Sequence, residues 1–253
     1  MNRTVRTTQK HRITQEQREP MTTFKTRGLV LREYESGESD KRILLLCKGH
    51  GRLVVHARGA RKVKSKFLAA SQMLTYGDYV IVDGKHKQFL SLAQAEVIEN
   101  FYPIRQDYDK LCYAQNILDV CEKTIPQNTP CDELLRLALK ALQHISYNKM
   151  APEQIVRVFL FRFFLFYGIA PEMECCSSCG DTLGTSALFG REGLFCLHCQ
   201  SPEAIPLSKA AQSAIRHILT SDLKSAFLFE VEETVLDELG YAAQIYWRGH
   251  FQN

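Results

Sequence analysis

Between Thr22 and Asn100 apolar residues recur in short runs of strand length: Gly28 to Leu31, Ile43 to Leu46, Leu53 to Val55, Tyr79 to Val82 and Phe89 to Leu92. Turn residues separate them. Gly49-His50-Gly51 lies between the second and third runs, and Asp83-Gly84 follows the fourth. Five short strands over 22–100 predict a small antiparallel barrel. An OB-fold, a five-stranded Greek-key barrel used for oligonucleotides, fits this pattern. A five-stranded SH3-like barrel fits the same periodicity.

Beyond Phe101-Tyr102-Pro103 the period becomes helical. Tyr108, Leu111, Leu118, Cys121 and Ile125 fall on one stripe. Thr129-Pro130, with Asp132 after them, read as an N-cap, a Pro at the first helical position and an acid in the first turn, opening an amphipathic helix from Leu134 to Ile145. Pro152 starts another helix. Its stretch Ile155 to Tyr167 is apolar nearly all round and belongs in the middle of a bundle. Gly168 and Pro171 end it. Arg157 and Arg162 interrupt this helix and require partners or a route to solvent. Two further helices are expected, over about Ser208 to Leu219 and Glu232 to Trp247. The predicted class is α+β: an N-terminal barrel over 22–100, then a helical domain over 101–253 that holds a cysteine-rich module over 172–204.

Composition narrows the picture. A length of 253 residues suits one or two domains. The balance of 45% hydrophobic and 24% charged residues excludes wholesale disorder. The longest apolar stretch, Val158 to Ala170, is too short to cross a bilayer and contains Arg162. Residues 1–21 lack the apolar core of a secretory signal. They read as a disordered leader or an upstream start ahead of Met21. A reducing cytosol is therefore expected, where clustered cysteines mean metal or catalysis rather than disulfides.

Charge is uneven. Residues 1–21 hold five Lys/Arg and two acids, residues 22–100 hold 14 and eight, and residues 101–253 hold 13 and 18, giving +3, +6 and −5. The barrel is thus the candidate polyanion binder. Within it, five of the nine residues from Arg58 to Lys66 are cationic: Arg58, Arg61, Lys62, Lys64 and Lys66. Lys41 and Arg42 add to the set. Such a loop neutralises phosphates without a base code, so binding is expected to be salt-sensitive and weakly sequence-selective. Phe67, Tyr76, Tyr79 and Phe89 are interleaved. They suit base stacking, with core packing the plainer reading for each ring. A solvated loop is the alternative for the basic run.

The cysteines carry the sharpest motif. Cys176-x2-Cys179, 16 residues, then Cys196-x2-Cys199 is the spacing of a four-cysteine zinc site. Each knuckle aims two sulfurs at one point. Residues 187–195 read as a hairpin returning the second knuckle to the first. Four thiolates close the tetrahedron, so the zinc would be structural. Cys175 and His198 are second-rank ligands, and buried thiols or a redox pair are the alternative. Cys47, Cys112, Cys121 and Cys131 are isolated. Phosphate-binding G-x4-G-K-[ST], H-E-x-x-H and G-x-S-x-G motifs do not occur, which favours a binding protein over an enzyme.

Taken in order, these blocks resemble the bacterial recombination mediator family RecO. The matching residues are Gly28 to Leu31 with Tyr34, Glu38-Ser39-Asp40, Gly51-Arg52-Leu53, Ala57 to Arg61 running into Lys64-Ser65, and Ala95-Glu96 to Phe101. Further on come the knuckles after Tyr167-Gly168 and Pro171, then Phe227 to Val231 and Tyr246 to His250. The resemblance implies an N-terminal OB-fold, a helical middle and a zinc module packed on the helices. It also implies a cytoplasmic, nucleoid-associated protein that binds single- and double-stranded DNA and anneals strands. RecR and the C-terminal tail of single-stranded-DNA-binding protein (SSB) are the implied partners, in loading RecA. Arg157 or Arg162 is considered for that tail's carboxylate, beside a salt bridge within the bundle. The rival readings are an RNA-binding or transcription-associated zinc-ribbon protein and a zinc-dependent enzyme acting on nucleic acid. The family usually continues past the position of His250 with a short basic segment, and residues 1–21 have no counterpart in it.

Overall fold

The computed structural model describes residues 22–83, 90–148, 150–184, 186–199, 201 and 203–252. The leader and the run before Leu90, including Phe89, lie outside the described residues.

Five strands form the N-terminal part: β1 (Thr22–Ser36), β2 (Asp40–Cys47), β3 (Gly51–Ala57), β4 (Tyr76–Asp83) and β5 (Leu90–Glu99). They close in the order β1-β2-β3-β5-β4 and back to β1. Every pairing is antiparallel except β3 with β5, where Val55 faces Leu90 and His56 faces Ser91. The first strand is much longer than the apolar run that marks it. Its first half pairs with β4 and its second half with β2, and this shared strand is what closes the sheet. A register shift between Val30 and Arg32 lets it bend from one neighbour to the other.

The apolar runs in β1 and β2 are continuous rather than alternating, and the packing explains why. Val30, Ile43 and Leu45 face the barrel interior with Val55, Ile81 and Leu92. Their neighbours Leu29, Leu31, Leu44 and Leu46 face outward into the core of the helices. A strand buried on both faces has no polar face to show. After β3, residues 58–75 run as successive turns across the barrel. Ala60, Phe67 and Ala70 plug its interior, and the Tyr79 hydroxyl donates to the Ala70 carbonyl at 2.9 Å. Phe67 is 6% and Tyr79 1% exposed. These two rings are core rather than base-stacking platforms, and Tyr76 packs against the helical core.

Phe101 joins the parts. It is buried and left-handed (φ 49°), and its N–H donates to Glu99. Helices follow: α1 (Tyr102–Arg105), α2 (Tyr108–Thr124), α3 (Asp132–Tyr147) and α4 (Pro152–Tyr167). The last is central, as its all-round apolarity predicts. Ile155, Val158, Phe159, Phe161, Phe163 and Phe164 are fully buried, and Gly168 ends the helix at φ 80°. A small sheet of β6 (Ala187–Gly190), β7 (Gly193–Phe195) and β8 (Ile205–Leu207) comes next. Helices α5 (Lys209–Thr220) and α6 (Glu233–Phe251) complete the element order. Tyr108, placed on the α2 stripe by periodicity, is 79% exposed because it sits at the helix start beyond the core.

The start of α3 departs from its sequence signal. Cys131, not Thr129, is the N-cap residue. Residues 127–129 are instead held against the barrel, with Asn128 in a left-handed turn at φ 58°. Gln127 bridges Arg52, and the Asn128 N–H donates to the Arg52 carbonyl at 3.2 Å. The Asp132 carboxylate is turned to the Gly49 N–H at 2.7 Å. This contact needs Gly51, whose φ is +68° and whose absent side chain leaves room for Thr129; a Cβ there would lie 1.9 Å from the Thr129 carbonyl oxygen.

Gly51→Ala should therefore destabilise the fold by about 3 kcal/mol or more, from the left-handed backbone plus the steric overlap. Urea denaturation of the variant measures this, with Gly49→Ala, which meets no neighbour within 4 Å, as the comparison that carries only the backbone cost.

Candidate metal centre and nucleic-acid surface

The cysteine module is built by short hydrogen bonds. The Cys176 N–H donates to the Asp181 carbonyl at 2.8 Å, and the Gly180 N–H returns to the Cys176 carbonyl at 2.9 Å, closing the first knuckle with Gly180 left-handed at φ 77°. The Cys199 N–H bonds the Cys196 carbonyl at 3.1 Å and closes the second. The β6–β7 hairpin carries one to the other, and the Ser177 N–H donates to the Leu194 carbonyl at 2.7 Å.

As a result the sulfurs of Cys176, Cys179, Cys196 and Cys199 all lie within 4.8 Å of one another. A tetrahedral ion with metal–sulfur bonds near 2.3 Å would set its sulfurs about 3.8 Å apart. The Cys179 and Cys196 sulfurs stand at 3.9 Å. All four are free thiols, far from the roughly 2.05 Å of a disulfide. The backbone N–H groups of Cys179 and Cys196 lower the Cys176 thiol to about 6. At Cys179 the Asp181 N–H pulls downward, but the neighbouring thiols outweigh it and raise the group to about 12. Crowded thiols resist a second negative charge, and a divalent cation removes that resistance. The donor set thus fits a closed structural metal site. Cys175 instead bridges Thr182, and neither it nor His198 belongs to the cluster.

The module is seated on the helices. Phe189, Leu194 and Leu207 belong to the helical core. The Tyr246 ring lies 5.0 Å from Phe164 and 5.7 Å from Phe189, and its hydroxyl donates to the Ile169 carbonyl at 2.6 Å.

The predicted cations share one end of the barrel but differ in what they do there. Lys41 is paired with Glu33, and its side chain is only 15% exposed. Arg61 bonds Glu35 at 3.0 Å and the Gly37 carbonyl at 3.1 Å. Lys66 reaches the Ala93 carbonyl at 3.1 Å and lies 4.9 Å over the Phe67 ring. Arg42 is exposed and already engaged. Arg58, Lys62 and Lys64 are exposed, with no ion pair among the described residues. Composition alone did not distinguish the engaged cations from the exposed ones. Elsewhere on the barrel, Arg32 pairs with Asp119 and Glu122 of α2 at 2.6 Å each, and Arg52 donates to the Glu122 carbonyl. These two arginines are struts between barrel and helices.

Arg157 pairs with Glu153 one turn away at 2.5 Å, and its guanidinium lies across Gly240 of α6. Arg162 donates to the carbonyls of Ile218, Leu219 and Ser221 and so caps the end of α5. Both are half-buried: they are engaged within the bundle and also line clefts at its surface. Among the described residues no helix is long and apolar enough to cross a membrane.

Known proteins resemble the chain along most of its length. Residues 21–101 match the family model described as Recombination protein O N terminal, and residues 105–252 match Recombination protein O C terminal. The DNA repair protein RecO of Acetivibrio thermocellus is 37% identical over 232 residues, covering 90% of this chain and 92% of that protein. That of Bacillus pumilus is 30% identical over 227 residues, 88% of each. That of Alkaliphilus metalliredigens is 27% identical over 231 residues, 90% of this chain and 93% of the other.

Metal removal should melt the cysteine module, since structural zinc in finger peptides is worth roughly 10–16 kcal/mol. Cys176→Ser is expected to purify without stoichiometric metal and to be cleaved rapidly by protease within 172–204. Cys112→Ser, at an exposed cysteine outside the cluster, should keep both its metal and its resistance. Equal metal content in the two variants would exclude the site.

Proposed function

The chain belongs to the RecO family of DNA repair proteins, and from this premise we propose that it is a non-enzymatic mediator that holds single- and double-stranded DNA on its barrel and anneals complementary strands. The barrel, taken as an OB-fold over 22–100, is the DNA-binding unit. Residues 101–253 form the scaffold, with 172–204 a structural zinc module. In this reading the protein works in the cytoplasm at the nucleoid beside RecR and the SSB tail, helping RecA onto coated single strands.

The observation that carries the proposal is the run Arg58 to Lys66 at the barrel mouth, whose members Arg58, Lys62 and Lys64 project into solvent. Arg42, Arg61 and Lys66 flank them, and Lys41 acts from within its pair with Glu33. Cations on one protein screen two phosphate backbones and let strands approach, which is what annealing requires. Zinc is the metal assigned because four thiolates in a tetrahedron suit it. Its role is to hold the module's shape. Arg157 and Arg162 already have partners in Glu153 and the end of α5, so the tail of SSB is not assigned to them.

Replacing Arg58, Arg61, Lys62, Lys64 and Lys66 with Gln should weaken DNA binding. It should also flatten the slope of log affinity against log salt by about 0.7–0.9 for each phosphate no longer neutralised. Strand annealing should fall in parallel. An unchanged slope and affinity would reject the assignment. Equal or tighter binding of RNA of the same length would favour the RNA-binding alternative.

A further inference from the structure

We propose that Asp40 is the positioning residue of the cationic loop: its carboxylate sets the turn by which the chain leaves β3, and so fixes where Arg58, Lys62 and Lys64 stand. The inference rests on the reading that this loop binds DNA.

The geometry is specific. One carboxylate oxygen accepts from the Gly59 N–H at 2.7 Å and the Ser39 hydroxyl at 3.2 Å. The other lies 3.2 Å from Nε2 of His56, the penultimate residue of β3. A single side chain therefore grips both the strand end and the first turn after it. Gly59 is left-handed at φ 67°, and Ala60 is fully buried in the barrel interior. The rest of the β1–β2 turn continues the template. The Arg61 N–H donates to the Ser39 carbonyl at 2.9 Å, and its guanidinium reaches Gly37 and Glu35. The Lys62 N–H then bonds the Gly59 carbonyl at 3.1 Å, and the Ser65 N–H the Lys62 carbonyl at 2.9 Å. Each step of the loop is referred back to the turn that Asp40 anchors.

Charge makes the role testable. The Gly59 N–H holds the Asp40 carboxyl below its ordinary value, so it is an anion at neutral pH. An anion among the cations of a polyanion-binding loop opposes binding by Coulomb repulsion. If charge alone mattered, removing it would tighten DNA binding. If placement matters, removing it weakens DNA binding. The two accounts predict opposite signs.

The test is titration of a fluorescent single-stranded oligonucleotide against the full chain at several salt concentrations. Asp40→Ala should lose about tenfold in affinity, in line with loss of hydrogen bonds to a charged group. Its salt slope should fall by about 0.7 for each phosphate the displaced loop no longer reaches, which a general loss of stability would not cause. Asp40→Asn keeps an oxygen acceptor for Gly59 and should restore binding to near wild type. Should Asp40→Ala fail to fold, Asp40→Glu carries the test. It keeps the charge but shifts the oxygens by a methylene, and it should bind more weakly than Asp40→Asn. Wild-type or tighter binding by Asp40→Ala, or wild-type binding by Asp40→Glu, overturns the proposal. Lys62→Gln with Lys64→Gln separates the two levels. If this pair binds as wild type, the loop is not the DNA site and the proposal falls with that reading. If the pair weakens binding while both Asp40→Ala and Asp40→Glu match wild type, only the positioning role fails.

Discussion

Burial of β1 and β2 on both faces is the constraint from which the rest follows. Leu29, Leu31, Leu44 and Leu46 are fully or almost fully covered by the helices, while Val30, Ile43 and Leu45 are covered by the barrel itself. Removing the helices would expose a row of leucines along the sheet, and an exposed apolar face of that kind is a liability for a soluble barrel. The barrel and the bundle are for this reason parts of one packed body. Arg32, Arg52 and the bridge at Gln127 add polar contacts around the same seam. The central helix α4 is covered in turn by α2, α3, α5 and α6, and the cysteine module rests its own apolar side on this core.

The electrostatics follow from that packing. A net +6 over residues 22–100 suggests a uniformly basic barrel, but several cations are occupied. Arg32 and Arg52 hold α2, Arg27 pairs with Asp78 at 3.0 Å, and Lys41 pairs with Glu33. Among the described residues Arg58, Lys62 and Lys64 form a cluster of exposed cations where residues 58–66 cross the barrel mouth, while Lys25 and Lys48 are exposed apart from that run. A small, localised cation cluster is better suited to a few phosphate contacts than to wrapping a long duplex. Glu33, Glu35 and Asp40 lie beside the cluster and are part of how its loop is shaped.

Much of this was legible in order and type. Short apolar runs separated by Gly and Asp-Gly mark the strands. The all-round apolarity of residues 155–167 marks the central helix, and the spacing of Cys176, Cys179, Cys196 and Cys199 marks the cysteine cluster. Such signals are short-range along the chain: they span one element, or, for the cysteines, two knuckles joined by one hairpin. What was not legible has a different origin. The start of α3 moved from Thr129 to Cys131 because Gln127 and Asn128 bond β3, more than 70 positions earlier. Phe67 and Tyr79 are core, the plainer reading of each ring, and it is the fold of residues 58–75 over the barrel that covers them.

By itself the sequence determined the kinds of element and their order, the tetrad of sulfurs and the excess of positive charge in the first hundred residues. These are encoded in spacing and side-chain type. Only the tertiary structure decided which cations remain available, which aromatic rings are core and which carboxylate anchors the loop. The physical reason is that hydrogen bonds and ion pairs act over about 3 Å, whatever the distance along the chain. Asp40 meets Gly59, and Arg32 meets Glu122, because the barrel closes and the helices dock.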